Sequence, residues 1–436
     1  MKKINNLNRR QFISGCLATA ATRCVANVAT PEAGATLPAW KPGELELHFI
    51  YTGCGENMFY RFPDGTAMLN DTGEGYFPQD VQYTPLLPSP ERLGGDWVSR
   101  YVSRVYPEKV IDYLVFSHWH GDHVGHASFY AKKTPANDWR YRTTADGRKI
   151  NGFLCVAEDF GFRRYFDHQY PAEGRYKTHG CCLKLASEWF EEQRKKGLVV
   201  EPFKVGALDQ IALLRDPAKY RGLFSVRNVC ANGVLWDGKD GVRDFAAETV
   251  SATGKEHLPQ NMLSMGFVVQ YGKFRFWTGG DIQPSSSGQG FATKDGPVNY
   301  EAEVGKRIGP VNVCKTNHHG CGDAMCEQFV RSVRAQVYVS CVWNRAHVDR
   351  RTMQRMTSRS IHPGFDPLVI PNFMPKDRAK MYKDMPFMKN VPPETHDGVH
   401  VVIKVAPGGD SYKVYLVDAR DESMRVRACF DRMAIS

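Results

Sequence analysis

Ser117-His118-Trp119-His120-Gly121-Asp122-His123 places three imidazoles and a carboxylate within six residues, directly after the apolar run Tyr113 to Phe116. That run reads as a buried strand. Alternate side chains of an extended stretch share a side, so His118 and His120 point together, and a turn at Gly121 brings Asp122 and His123 back towards them. Imidazole nitrogens with a carboxylate suit Zn(II), Fe(II) or Mn(II), and the lack of a thiolate argues against a purely structural zinc site. Four donors this close can serve two ions.

Outward from this cluster the chain reads as interleaved strands and helices. Leu45, Leu47, Phe49 and Tyr51 alternate with polar or smaller residues, as a half-buried strand does. Pro63-Asp64-Gly65 turns Met58 to Phe62 back into Thr66 to Asn70, and the segment ends at Asp71-Thr72-Gly73. Val98, Tyr101, Val102 and Val105 form one stripe of a helix. Downstream, Met265 to Tyr271 and Phe274 to Thr278 flank the Gly272-Lys273 turn as a hairpin. Val311 to Thr316, Gln336 to Ser340, Val399 to Val405 and Tyr412 to Val417 read as further strands, and Asp323 as the cap of a helix running to Val333. Residues 131–258 are less regular and richer in charge, with a helix from Leu183 to Lys196 stopped by Gly197, and read as an insertion over one face. In it, Tyr165, Tyr170 and Trp189 are either a substrate wall or, in preference, the aromatics of a small core. The whole points to an α/β layered sandwich over residues 40–436.

His118, His120, Asp122 and His123 match residue for residue the HxHxDH motif of the metallo-β-lactamase-fold hydrolase superfamily, which the sequence resembles over about residues 45–347. Asp71 matches that family's early structural aspartate, Gly279-Gly280-Asp281 its metal-bridging aspartate, and Lys315-Thr316-Asn317-His318-His319-Gly320 the KxxHHG segment of one branch. That branch holds the hydrolase domain of bacterial DNA-uptake channel proteins and the phosphorylcholine esterases. The resemblance implies a four-layer αβ/βα sandwich with two divalent ions at the sheet edge, zinc first and manganese or iron as alternatives. The implied ligands are His118, His120, Asp122, His123, Asp281 and His319, with Asp122 also orienting the nucleophile and His318 facing the substrate as donor or general acid; the roles of His318 and His319 are open to exchange. Neighbours on a strand point to opposite faces, so the two histidines are expected to differ in role. The family's lone histidine between the first motif and the bridging aspartate has no plain equivalent; His257 is the first candidate, ahead of His179 and His168. Asn344 and His347 resemble a polar segment lining the site in the uptake-channel branch.

The implied activity is metal-dependent hydrolysis of a phosphodiester or related ester, small or surface-linked. Lactam, lactone or amide hydrolysis is the alternative within the same chemistry, and an iron-dependent oxidoreductase the alternative outside it. The net charge of +10 argues little for nucleic acid: Lys2, Lys3, Arg9, Arg10 and Arg23 supply half of it before residue 30. Those residues belong to a segment 1–29 that resembles a twin-arginine export signal, with Arg9-Arg10 ahead of an uncharged run, so a periplasmic or secreted location is expected. Ile13-Ser14-Gly15-Cys16 also resembles a lipoprotein box and makes lipid anchoring at Cys16 the lesser expectation. No run approaches the roughly 18 apolar residues that a membrane-spanning helix needs. The 12 cysteines form no matched CxxC pairs and read mostly as small buried hydrophobes.

Overall fold

The structure, a computed structural model, describes residues 32–74, 84–125, 141–167, 183–256, 258–285 and 290–435. The export segment with Cys16, and His168, Tyr170, His179 and His257, lie outside the described residues.

Two large twisted sheets form the frame. Strands β1 (Leu45–Phe49), β2 (Asn57–Arg61), β3 (Ala67–Thr72), β4 (Val110–Phe116), β5 (Gly161–Asp167) and β6 (Val199–Pro202) belong to the first. Strands β7 (Phe224–Ala231), β8 (Val234–Trp236), β9 (Val242–Asp244), β10 (Gly266–Tyr271), β11 (Phe274–Thr278), β12 (Val313–Lys315), β13 (Val337–Ser340) and β14 (Leu368–Pro371) make the second. The chain then returns to the first sheet as β15 (Val399–Val405), β16 (Ser411–Asp418) and β17 (Val426–Met433). The orders are β17-β16-β15-β1-β2-β3-β4-β5-β6 and β9-β8-β7-β10-β11-β12-β13-β14. The stretch 131–258 thus supplies β5 and β6 to one sheet and β7 to β9 to the other.

Period-2 patterning explains the layering. Leu45, Leu47 and Phe49 of β1 share one core with Phe267, Val269, Phe276, Val313 and Val337 of the second sheet. Phe49 meets Phe276 edge-on at 5.8 Å between centroids, across the gap between the sheets. The alternate residues Val268, Trp277, Cys314 and Tyr338 enter another core with Tyr300, Val304 and Phe329 of the covering helices Tyr300–Ile308 and Glu327–Val333. Helix Gly94–Val105 covers the first sheet with Val98, Tyr101 and Val102. Helix, sheet, sheet, helix is the four-layer sandwich that the sequence implied.

Two local readings are corrected, and the preferred reading of the insertion's aromatics is kept. The second face of β1 is not solvated: Glu46 and His48 are buried, His48 Nδ1 lying 3.0 Å from Tyr101 Oη and Lys404 Nζ donating to Glu46 at 2.5 Å. A polar residue on a covered face is stable only with such partners, and alternation alone cannot distinguish this from exposure. Asp323 caps no helix; the helix begins at Glu327 with Cys326 as its first flanking residue. Tyr165 and Trp189 belong to an aromatic core, Tyr165 stacking on Phe190 at 3.9 Å and Trp189 meeting Phe153 at 5.3 Å.

Helix Gly94–Val105 lacks a side-chain cap from its own flanking residue. Glu74, arriving from the β3 loop, accepts Gly94 N at 2.6 Å, Gly95 N at 3.1 Å and Gly152 N at 3.0 Å. Burial pushes its carboxyl up to about 6 against the pull of those amides. Removing it leaves three enclosed N–H groups without an acceptor, so Glu74→Ala is expected to cost about 2–4 kcal/mol of unfolding free energy in a denaturant titration. A loss under about 0.5 kcal/mol would mean that the carboxylate caps nothing of consequence.

Candidate metal centre

Strands β3 and β4 run parallel in the first sheet, as do β11, β12 and β13 in the second. Their carboxyl ends therefore share an edge, and five loops meet there: Asp71–Gly73, Ser117–His123, Gly279–Asp281, Asn317–Gly320 and Cys341–His347. The approach is close. A Cβ at Gly73 would lie 1.8 Å from Asp122 O, and one at Gly280, whose φ is +52°, would lie 2.8 Å from Ser117 Cβ.

Asp71 works behind the donors. Its Oδ1 accepts Ser117 N at 2.7 Å, and its Oδ2 accepts Ser117 Oγ at 2.7 Å and sits 2.9 Å from His123 Nδ1. A proton held on Nδ1 turns the bare Nε2 of His123 inward, where it lies 3.3 Å from Asp281 Oδ1 and 3.8 Å from Asp122 Oδ2. His319 is set the same way. Its Nδ1 donates to Cys341 O at 2.9 Å, which leaves Nε2 at 3.1 Å from Asp122 Oδ2 and 3.3 Å from Asp281 Oδ2. Trp343 Nε1 approaches that same Nε2 at 3.3 Å and His347 stacks on the ring at 4.7 Å. On the other side of Asp281, His118 Nε2 lies 3.0 Å from His120 Nδ1 and 3.9 Å from Asp281 Oδ2.

These separations fit a metal. Ligand atoms about 2.0–2.1 Å from a tetrahedral ion stand roughly 3.3 Å apart, and the His123, Asp122, Asp281 and His319 donors stand 3.1–3.8 Å apart. His123 Nε2 and Asp281 Oδ1 are both fully buried and make no hydrogen bond although 3.3 Å apart. Two such atoms converging without satisfying each other are what a shared cation would join. Asp122, His123, Asp281 and His319 surround one such position; His118 and His120, with Asp281, surround a second that is short of a donor. The cluster of histidines and carboxylates suits a divalent metal.

The electrostatics agree. Burial alone would push the Asp281 and Asp122 carboxyls up, yet the surrounding imidazoles hold both far below the usual carboxylate range. Burial likewise disfavours charge on His319, but Asp281 and Asp122 push it up to about 9. His123 is raised against its own burial by Asp281, Asp122 and Asp71. His118, desolvated and beside His123 and His120, falls well below an ordinary histidine.

His318 and His319 do not sit on a strand. Both adopt left-handed backbone, φ +45° and +53°, just beyond β12. Such conformations cost of order 1–3 kcal/mol each and persist where surroundings hold them. Here Asn317 is held by Glu301 through its amide at 2.8 Å and by Trp277 Nε1 at 3.1 Å, while Glu301 also accepts Met325 N and Cys326 N, both at 2.7 Å. The turn sends His319 inward and His318 to the rim, where its Nδ1 lies 2.9 Å from Asp323 Oδ1 and 2.7 Å from Gln283 Nε2. His318 Nε2 stands 3.3 Å from the Asn261 amide and 3.8 Å from Asp281. His347 is buried against His319, whereas Asn344 caps its own loop by accepting Ala346 N at 2.8 Å.

The sequence reading missed Glu56, Glu301, Gln283 and Asn261, and gave Lys315 no role. A lone acid in the glycine-rich turn Gly53-Cys54-Gly55-Glu56 carries no spacing signal, and an amide carries none anywhere.

The model of the metallo-beta-lactamase superfamily matches residues 53–177, the span holding Asp71 and the whole of His118 to His123. The chain carries the metallo-beta-lactamase fold. No curated protein matches it. Among solved structures, a protein described as a metal-dependent hydrolase from Parabacteroides distasonis is similar at 11% identity and TM-score 0.32, with 77% of this chain and 97% of that one covered. A CmlA β-hydroxylase variant aligns at 12% identity and TM-score 0.35 over 76% and 52% of the two chains. A diphosphatase of the PhnP family aligns at 9% and 0.32 over 83% and 98%. Likenesses this distant carry no argument about activity. In this metallo-beta-lactamase fold the loops carrying the donor side chains all lie at the shared strand edge, and among the described residues no helix is long and apolar enough to cross a membrane.

Elemental analysis of the purified chain is expected to find about two divalent ions, with Asp281→Ala losing both and His120→Ala one, since Asp281 alone faces both donor sets. Full metal content in Asp281→Ala would dismiss the assignment.

Proposed function

We propose that the protein is an exported metal-dependent hydrolase of a phosphodiester or related ester. The observation carrying this reading is the placement of Asp281 between two donor groups, with His318 held separately at the rim beside them. His118, His120, Asp122, His123, Asp281 and His319 would hold the ions, with zinc favoured by the nitrogen and carboxylate donor set. Divalent ions there would supply an acidified water as nucleophile and positive charge for the oxygen that becomes negative in the transition state.

The chain's own residues do the rest. Asp122, fixed by its distance of 3.1 Å from His319, accepts a hydrogen bond from the attacking water and so aims it. His318, its Nδ1 anchored on Asp323, presents Nε2 to the site, and a proton on that atom passes to the leaving oxygen. Trp343 and His347 pack on His319 and exclude water from its far side. The HHG turn favours a phosphodiester over a lactam because it resembles that of the phosphoester-cleaving branch. The paired arginines at positions 9 and 10 support export of a folded, metal-loaded chain.

Purified protein is expected to hydrolyse bis(p-nitrophenyl) phosphate and to leave nitrocefin and a lactone panel untouched. His318→Asn should keep its metal and lose roughly 10²- to 10⁴-fold in kcat, the usual range for a general acid. Turnover of only the lactam or lactones would replace the substrate class, and one iron per chain with oxygen uptake would replace the reaction class.

A further inference from the structure

Lys315 and Glu56 are both fully buried, and Lys315 Nζ lies 2.6 Å from Glu56 Oε2. Lys315 closes β12 in the second sheet, and Glu56 immediately precedes β2 in the first. The pair therefore joins the two sheets directly beneath the donor cluster. Lys315 Nζ also donates to Gly280 O at 2.7 Å, the residue before Asp281. The backbone of Glu56 reaches the remaining loops: its N–H donates to Asp122 O at 2.8 Å, and its carbonyl accepts Gly73 N at 3.0 Å. Two side chains and the backbone of one residue thus fasten the Asp71 loop, the HxHxDH loop, the Asp281 turn and the strand leading to His319.

Glu56 lies close to the donors, one oxygen falling with His123, Asp281 and His319 atoms inside a 4.8 Å group. It approaches His319 from the wrong side to share an ion with it. Its Oε2 is 3.8 Å from His319 Nδ1, the nitrogen committed to Cys341 O, whereas the inward nitrogen is Nε2. Neither of its oxygens makes a hydrogen bond, so Lys315 meets the carboxylate as an ion pair. A pair so enclosed gains little stability over an apolar pair of the same size, because desolvation offsets the attraction. Stability alone does not account for it.

We propose that Glu56 and Lys315 form an inter-sheet latch that positions Asp281 and His319 against the HxHxDH loop, setting metal affinity without touching metal. This rests on the metal-centre reading above and is independent of which ester is cleaved. Both are positioning residues. Breaking one partner leaves a lone buried charge, whereas removing both leaves a neutral but unfastened site.

The test compares the purified full chain with Glu56→Gln, Lys315→Met and the double variant, reading zinc dissociation constants by chelator competition, the visible spectrum of the Co(II)-loaded form, and unfolding of the metal-free form. The single variants should lose stability. The double variant should regain most of it yet keep a zinc dissociation constant raised about 10- to 100-fold, as for other residues supporting ligands, with an altered cobalt spectrum. Parent affinity and spectrum in the double variant overturn the latch, as does loss of one metal equivalent in Glu56→Gln alone, which would make Glu56 a ligand. Should these variants not fold, Glu56→Asp keeps the charge and shortens its reach; a raised dissociation constant supports the latch and an unchanged one overturns it. A parent that binds no metal overturns the centre itself, and one that binds metal but cleaves no ester overturns only the proposed activity.

Discussion

Four carboxylates, Glu56, Asp71, Asp122 and Asp281, are gathered at one sheet edge, almost wholly closed to water. Like charges in so dry a place are tolerable only when each meets a cation or a donor. Asp71 meets Ser117 and His123, Glu56 meets Lys315, and Asp122 and Asp281 meet a ring of imidazoles. The order in which these residues stand outward from the core follows from that requirement. Asp71 lies behind with both oxygens matched, while Asp281 turns an unmatched oxygen towards the unmatched Nε2 of His123.

The legible part of the fold was the part written in periodicity. Val98, Tyr101, Val102 and Val105 announced the helix that became Gly94–Val105, and the run on either side of Gly272-Lys273 announced the β10–β11 hairpin. The cluster from His118 to His123 gave four donors by spacing alone, and the structure brings them beside Asp281 and His319 from more than 150 residues away in sequence. Patterns fail where contacts are long-range. Nothing local marks Glu46 and His48 as covered, because Tyr101 and Lys404 that partner them come from distant elements. Nothing local marks Glu56 either, since its meaning comes from a lysine on the other sheet.

The HHG segment shows how a local rule yields to a global one. Strand alternation separates two neighbouring side chains by sending them to opposite faces; here the separation is kept but achieved by two consecutive left-handed residues. Held by Asn317 and Glu301, the turn lets one imidazole enter the charged interior while its neighbour remains at the rim, 21% exposed. Sequence gave the pair; the conformation came from a buried carboxylate on a helix that no motif mentions.

The order of the first sheet also governs how this chain comes into being. β1 lies between β2, its near neighbour, and β15, which is made some 350 residues later; Lys404 reaches Glu46 across a separation of 358 positions. Such pairing pays its loop-closure entropy late, and folding slows as contacts lengthen. While synthesis proceeds, one edge of β1 has no native neighbour and invites mispairing. Completion must therefore wait until nearly the whole polypeptide has left the ribosome, and a nascent chain stalled before residue 399 would present an open flank for a chaperone to guard.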